Sequence, residues 1–150
     1  MLARRNIQEA HDHSTAMSTP LPVQFTGRRE FSLEAHPASV AEARQRMSEL
    51  AESLLEADRL ADLHLVLSEV VSNAVRHGSD TEPITLAITP KSDYLCVQVT
   101  DSGTGLAPTP RATVPDENGG WGFFLIEYLT RRWGMTREKQ RTRVWFEFDL

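Results

Sequence analysis

Between Arg59 and Arg76 apolar side chains return every three or four residues, at Leu63, Val66, Leu67, Val70, Val71 and Ala74. That spacing collects them on one side of an α-helix. Val40, Ala43, Met47, Leu50 and Leu54 repeat in the same way and predict an earlier helix over about 39–56. Ser39 followed three residues later by Glu42 has the form of a capping box at its start. Gly78 supplies a stop signal for the later helix. Beyond it the period shortens to two. Ile84, Leu86 and Ile88 alternate with Thr85, Ala87 and Thr89, and Leu95, Val97 and Val99 alternate with Cys96, Gln98 and Thr100. Two neighbouring strands follow, joined by a turn near Lys91 to Asp93.

From Asp101 to Gly120 the chain shifts to Gly, Pro, Thr and acidic residues, a loop too long for an ordinary connection in a compact domain. A third helix is expected from Trp121 to about Arg132. After it come Gly134, a short strand, a turn around Gln140, and a closing strand in which Val144, Phe146, Phe148 and Leu150 alternate with Trp145, Glu147 and Asp149. A short, irregular first strand is expected between Val23 and Leu33. Residues 1–23 hold two prolines, a Ser/Thr cluster and no run able to bury a face, so they read as a flexible tail ahead of one folded domain over 24–150. Strand, two helices, two strands, long loop, helix and two strands give an α+β class, with a mostly antiparallel sheet and helices stacked on one face.

Length and composition agree with a single core: 150 residues, 40% hydrophobic and 25% charged. A net charge of -5 removes the long-range field that would draw nucleic acid or an anionic membrane. The lone Cys96 sits in an apolar alternation, as a reduced buried thiol does. No stretch approaches the roughly 18 apolar residues of a membrane span, and the first residues lack the apolar centre of a signal peptide, so a cytoplasmic location is expected. His11 and His13 have no third ligand and no rigid frame to make a metal site.

Three segments carry chemistry. In the helix around Leu65 to Gly78, Glu69, Asn73 and His77 are spaced by four and share a stripe opposite the apolar one. A carboxylate beside an amide oxygen suits a Mg²⁺ that keeps several waters, with the carboxylate left to accept a proton; alone, the stripe reads first as a solvated polar face. Asp101-Ser102-Gly103-Thr104-Gly105 follows a strand. An Asp there can accept from an exocyclic amine, with glycines admitting a flat ring, or it can cap a Gly-rich turn. Gly119-Gly120-Trp121-Gly122 opens a helix, where free N–H groups and the helix dipole favour phosphate. No Lys-Ser/Thr pair follows, so it is not a P-loop.

Taken together and in this order, the segments resemble the GHKL ATPases: Glu69 to Gly78 their N box, Asp101 to Gly105 their G1 box, Gly120 to Gly122 their G2 box. The resemblance runs over about residues 25–150. It is nearest to the compact anti-sigma factor serine kinases, which Arg132-Trp133-Gly134 and Val144-Trp145-Phe146-Glu147-Phe148 also resemble.

It implies a Bergerat fold, a two-layer sandwich with a mixed, mostly antiparallel sheet under about three helices, holding Mg²⁺ and ATP beneath the loop between G1 and G2. The implied roles are Asn73 as Mg²⁺ ligand, Glu69 as base, Asp101 on the adenine amine, and Gly103, Gly105, Gly120 and Gly122 shaping the pocket. The implied partners are a sigma factor and a small STAS-type anti-anti-sigma protein, with a homodimer left open. His77 closes the N box without a distinct chemical role. Two departures stand out. Kinase members commonly carry Arg where this chain has Asn118, which removes a charge from beside the transferring phosphoryl group. The threonine usual beside the adenine comes one residue early, as Thr142, with Arg143 in its place. Two functions follow: an ATP-binding anti-sigma kinase, or a nucleotide-dependent interaction module without transferase activity. A detached histidine-kinase catalytic domain fits less well, because no helical hairpin with a substrate histidine precedes it.

Overall fold

A computed structural model describes residues 25–103 and 121–150. The tail over 1–23, His11, His13, the loop over 106–119, Asn118, Gly105 and Gly120 therefore lie outside the described residues. Eight elements follow in order: β1 (Arg29–Leu33), α1 (Ser39–Ala51), α2 (Ala57–His77), β2 (Ile84–Pro90), β3 (Tyr94–Asp101), α3 (Trp121–Leu129), β4 (Arg132–Glu138) and β5 (Arg141–Asp149).

The strands form one sheet in the order β1-β2-β3-β5-β4, and all four neighbouring pairs are antiparallel. The β2 and β3 alternations put Ile84, Leu86, Ile88, Leu95, Val97 and Val99 on the same face, and β5 adds Phe146 and Phe148. Against that face pack the apolar stripes of α1 (Ala43, Met47, Ala51) and α2 (Leu63, Val66, Leu67, Val70, Val71, Ala74), with Ile126 from α3. This is the α+β two-layer arrangement expected, with one contiguous core. Each large side chain withdrawn from water there contributes about 1.5–3 kcal/mol.

Three local expectations are corrected. Ser39 does not cap α1. The helix starts behind Ala38, which makes no side-chain cap, and the Ser39 hydroxyl donates instead to the Glu34 carbonyl at 2.6 Å, tying the end of β1 to the helix. Glu42 is thereby released and pairs with Arg46 at 3.6 Å. Helix α1 stops at Ala51, where the Ala51 carbonyl takes the N–H groups of both Leu54 and Leu55 in a turn. Helix α3 stops at Leu129, short of Arg132, because the Arg131 N–H bonds the Glu147 carbonyl and the next residues pair with β5.

On the face away from the helices, Trp145 covers Gly134. A Cβ at that glycine would lie 2.7 Å from the indole ring, so only hydrogen fits. Beside it Arg132 grips the buried Glu147 carboxylate with two hydrogen bonds, at 2.9 and 2.7 Å. No described helix is long and apolar enough to cross a membrane.

Candidate nucleotide site

The helix layer and the sheet enclose a narrow cleft at one end. Helix α2 contributes Val70, Asn73, Ala74 and His77, β3 contributes Val99 and Asp101, α3 contributes Phe123 and Ile126, and β5 contributes Thr142 and Val144. Most of the lining is apolar, with Asn73, His77, Asp101 and Thr142 as its polar groups, which suits a flat heterocycle carrying a charged tail.

Asp101 ends β3 with only 7% of its surface exposed. Its Oδ1 accepts the Gly103 N–H at 2.9 Å, the only side-chain hydrogen bond it makes among the described residues. Oδ1 thus caps the turn that follows β3. Burial pushes its carboxyl above the ordinary carboxylate value, while the Gly103 hydrogen bond and the charges of His77 and Arg137 oppose that rise.

Gly103 and Gly78 meet closely. A Cβ on Gly103 would fall 2.3 Å from both the Gly78 Cα and the His77 carbonyl oxygen, so this glycine lets the two backbones approach. Gly78 has φ -80, outside the left-handed region of an ordinary glycine stop. A Cβ there would meet the Ala74 carbonyl oxygen at 2.4 Å and the Asp101 Cβ at 3.1 Å. The two glycines therefore press the end of the N-box helix onto the start of the G1 segment, bringing Asn73, His77 and Asp101 to one cleft. Gly122 lies in the first turn of α3.

Asn73 lies on the cleft wall, but its Oδ1 accepts from Arg76 Nη2 at 2.7 Å. Glu69, one turn earlier on α2, is half-buried, forms no ion pair among the described residues and is not part of the cleft wall. No described cluster of three His, Cys, Asp or Glu could hold a metal. Mg²⁺ retains waters and takes phosphate oxygens, so a single amide oxygen fits an ion delivered with a nucleotide, once Arg76 releases it.

Thr142 stands opposite Asp101 in the β3–β5 register and lines the cleft, while Arg143, next along the strand, turns to the other face. The one-residue displacement thus leaves the hydroxyl inside the site. Arg137, opposite Thr142 on β4, completes a row of three across the sheet. The sequence reading missed Arg137 and Arg76, and it treated Val70 and Ala74 as core alone. The α2 periodicity marked both of these as inward-facing; no local signal marked Arg137.

A family model described as a histidine kinase-like ATPase domain matches residues 33–148. The chain belongs to this family. It is therefore an ATP-binding domain of GHKL type. No curated protein sequence matches it significantly. Among solved structures, a chain of the SiaB-SiaC complex from Pseudomonas aeruginosa is similar at TM-score 0.56 and 11% identity, covering 81% of this chain and 89% of that one. The histidine kinase AdeS of Acinetobacter baumannii is similar at TM-score 0.50 and 14% identity, over 83% of this chain and 68% of that one. At these identities the likeness is one of fold.

Proposed function

We propose that this ATP-binding domain is a cytoplasmic anti-sigma regulatory factor that phosphorylates a serine or threonine on a small STAS-type anti-anti-sigma partner, and so chooses between that partner and a sigma factor. One observation carries the reading: a cleft that joins the buried Asp101 to Asn73, with the Glu69 carboxylate one helical turn beyond. Asp101 accepts the adenine amine. Thr142 and the apolar walls hold the ring, Gly105, Gly120 and Gly122 shape the pocket for the phosphates, and Asn73 offers its oxygen to Mg²⁺, which supplies charge neutralisation of the phosphates when bound.

In the transfer, the partner hydroxyl oxygen bonds to the γ-phosphorus as the bond to the β,γ-bridging oxygen breaks, and ADP leaves. Glu69 takes the hydroxyl proton. A fold shared with a chain solved in a two-protein complex is in keeping with a protein partner.

Asn118, in place of the usual Arg, favours a second reading in which the domain binds ATP and a partner without transfer. Incubation with γ-labelled ATP, Mg²⁺ and STAS-type proteins from the same genome decides between them. Label on a partner Ser or Thr, lost by about 10² to 10⁴ in Glu69→Gln with ATP affinity kept within a few-fold, supports the kinase. ATP binding without label on any partner overturns it in favour of the second reading.

A further inference from the structure

Residues 139–143 make the turn and the first part of β5, and they carry an unbalanced charge. Arg28, Arg46, Arg59, Arg131 and Arg132 each have a carboxylate within 4.0 Å. Lys139, Arg141 and Arg143 have none among the described residues, and no hydrogen bond engages their side chains.

Strand alternation sets Arg141 and Arg143 on the same face of β5, the one turned away from the nucleotide cleft that Thr142 lines. Arg143 stands between Thr100 of β3 and Thr136 of β4, and Arg141 stands opposite Glu138. These residues, with Lys139 and Gln140, line one open depression on the outer face of the sheet. Lys139 is held at φ +54, the tip of a tight hairpin that keeps the cations together. Three cations and one carboxylate thus share a small area of a chain whose net charge is -5. Glu138 offsets only part of this positive charge, and an anionic ligand would offset the rest.

We propose that this depression docks an acidic, extended segment of a partner protein. Residues two apart on a strand are separated by about 6.5–7 Å, so Arg141 and Arg143 match carboxylates at alternate positions of a second extended chain. A single phosphate would have to draw both guanidinium groups to one point, whereas two carboxylates meet each of them separately. The Thr100 and Thr136 hydroxyls flanking Arg143 offer neutral donors to the same segment. A nucleic acid fits worse, because the cations end with one hairpin and the rest of the chain repels a continuing phosphate backbone.

Fluorescence anisotropy with fluorescein-labelled decaglutamate tests the site on the full chain at low salt. Wild type is expected to bind, and Arg141→Glu/Arg143→Glu to weaken binding about tenfold or more, with the milder Arg141→Gln/Arg143→Gln in between. Arg29→Glu/Arg44→Glu makes the same charge change at two other cations without ion pairs, and is expected to stay within about threefold. Retained ATP binding and an unchanged melt certify the fold of each variant. No binding by wild type, or equal loss in both reversed pairs, overturns the proposal. Tighter, Arg141- and Arg143-dependent binding of a ten-nucleotide single strand overturns it in favour of nucleic acid, and displacement of decaglutamate by low inorganic phosphate in favour of a simple phosphate pocket.

Discussion

Replacing Gly103 by alanine tests the junction on which the site depends. The added carbon would lie 2.3 Å from the Gly78 Cα and the His77 carbonyl oxygen, and 2.7 Å from the Gly78 carbonyl carbon. Unstrained carbon contacts need about 3.5–4.0 Å. All three obstacles are backbone, so no side chain can rotate aside, and either the α2 terminus or the end of β3 must retreat by about 1 Å. Overpacking of this kind costs about 1–3 kcal/mol. The retreat also stretches the 2.9 Å bond from the Gly103 N–H to Asp101 Oδ1, and a hydrogen bond to a charged group contributes about 1.5–3 kcal/mol. One movement causes both losses, so a combined penalty of about 3 kcal/mol is expected, lowering Tm by about 10 °C in a domain of this size. ATP affinity should fall as well, because Asp101 moves. Thermal melts by circular dichroism and titration calorimetry measure the two effects. Gly27→Ala is the control: its φ of +81 is strained for alanine but nothing lies within 4 Å, so a loss near 1 kcal/mol with normal ATP binding is expected. A Gly103→Ala protein that melts within about 2 °C of wild type and binds ATP normally would refute the backbone junction as the reason for the glycine.

Asp101→Asn should weaken ATP binding by about five- to a hundred-fold in calorimetry, since the exchanged amide can present N–H against an incoming amine. The same change should raise the Tm of the nucleotide-free protein: a carboxyl whose folded pKa is raised binds more protons folded than unfolded just above 3.8, so stability falls as pH rises through that window and the penalty persists at neutrality. An unchanged or lower Tm at pH 7 counts against it. His64, which shares a 2.9 Å hydrogen bond with Ser48, is held below its ordinary 6.5 by burial and then by the Arg44 charge. The unfolded chain therefore binds the extra proton first, and denaturant melts should show stability falling as pH drops below 6.5, with the slope reduced in His64→Gln. Arg76→Ala frees the Asn73 oxygen and should lower the Mg²⁺ concentration that half-saturates ATP binding, by about fivefold at most because exposed contacts of this kind are weak. A higher requirement would mean that Arg76 assists the phosphates instead.

Much of this fold can be read from periodicity, and the exceptions have a common cause. Helix α2 is legible because Leu63 through Ala74 supply an uninterrupted apolar stripe, and the β2–β3 hairpin because both strands alternate cleanly. Ser39 misleads because its hydroxyl has a better acceptor, the Glu34 carbonyl, which becomes available only when β1 folds back. The end of α3 is set by the β5 backbone, and Gly103 by Gly78; neither partner is near in sequence. Within the site, Asn73, Asp101 and Thr142 line one cleft, whereas Arg137 is brought into the row of Thr142 and Asp101 only through strand register. Local pattern shows which residues face inward, and long-range pairing decides what they meet.

Because β5 lies between β3 and β4, the chain leaves β3 at Asp101 and returns to its side at Thr142, where the two residues face each other. Closing such an excursion carries an entropy that grows only with the logarithm of its length, about 0.6 kcal/mol for each doubling. The pairing of β3 with β5 therefore fixes Asp101 against Thr142 whatever joins them in sequence, and the two residues keep their places in the cleft wall as long as the sheet holds.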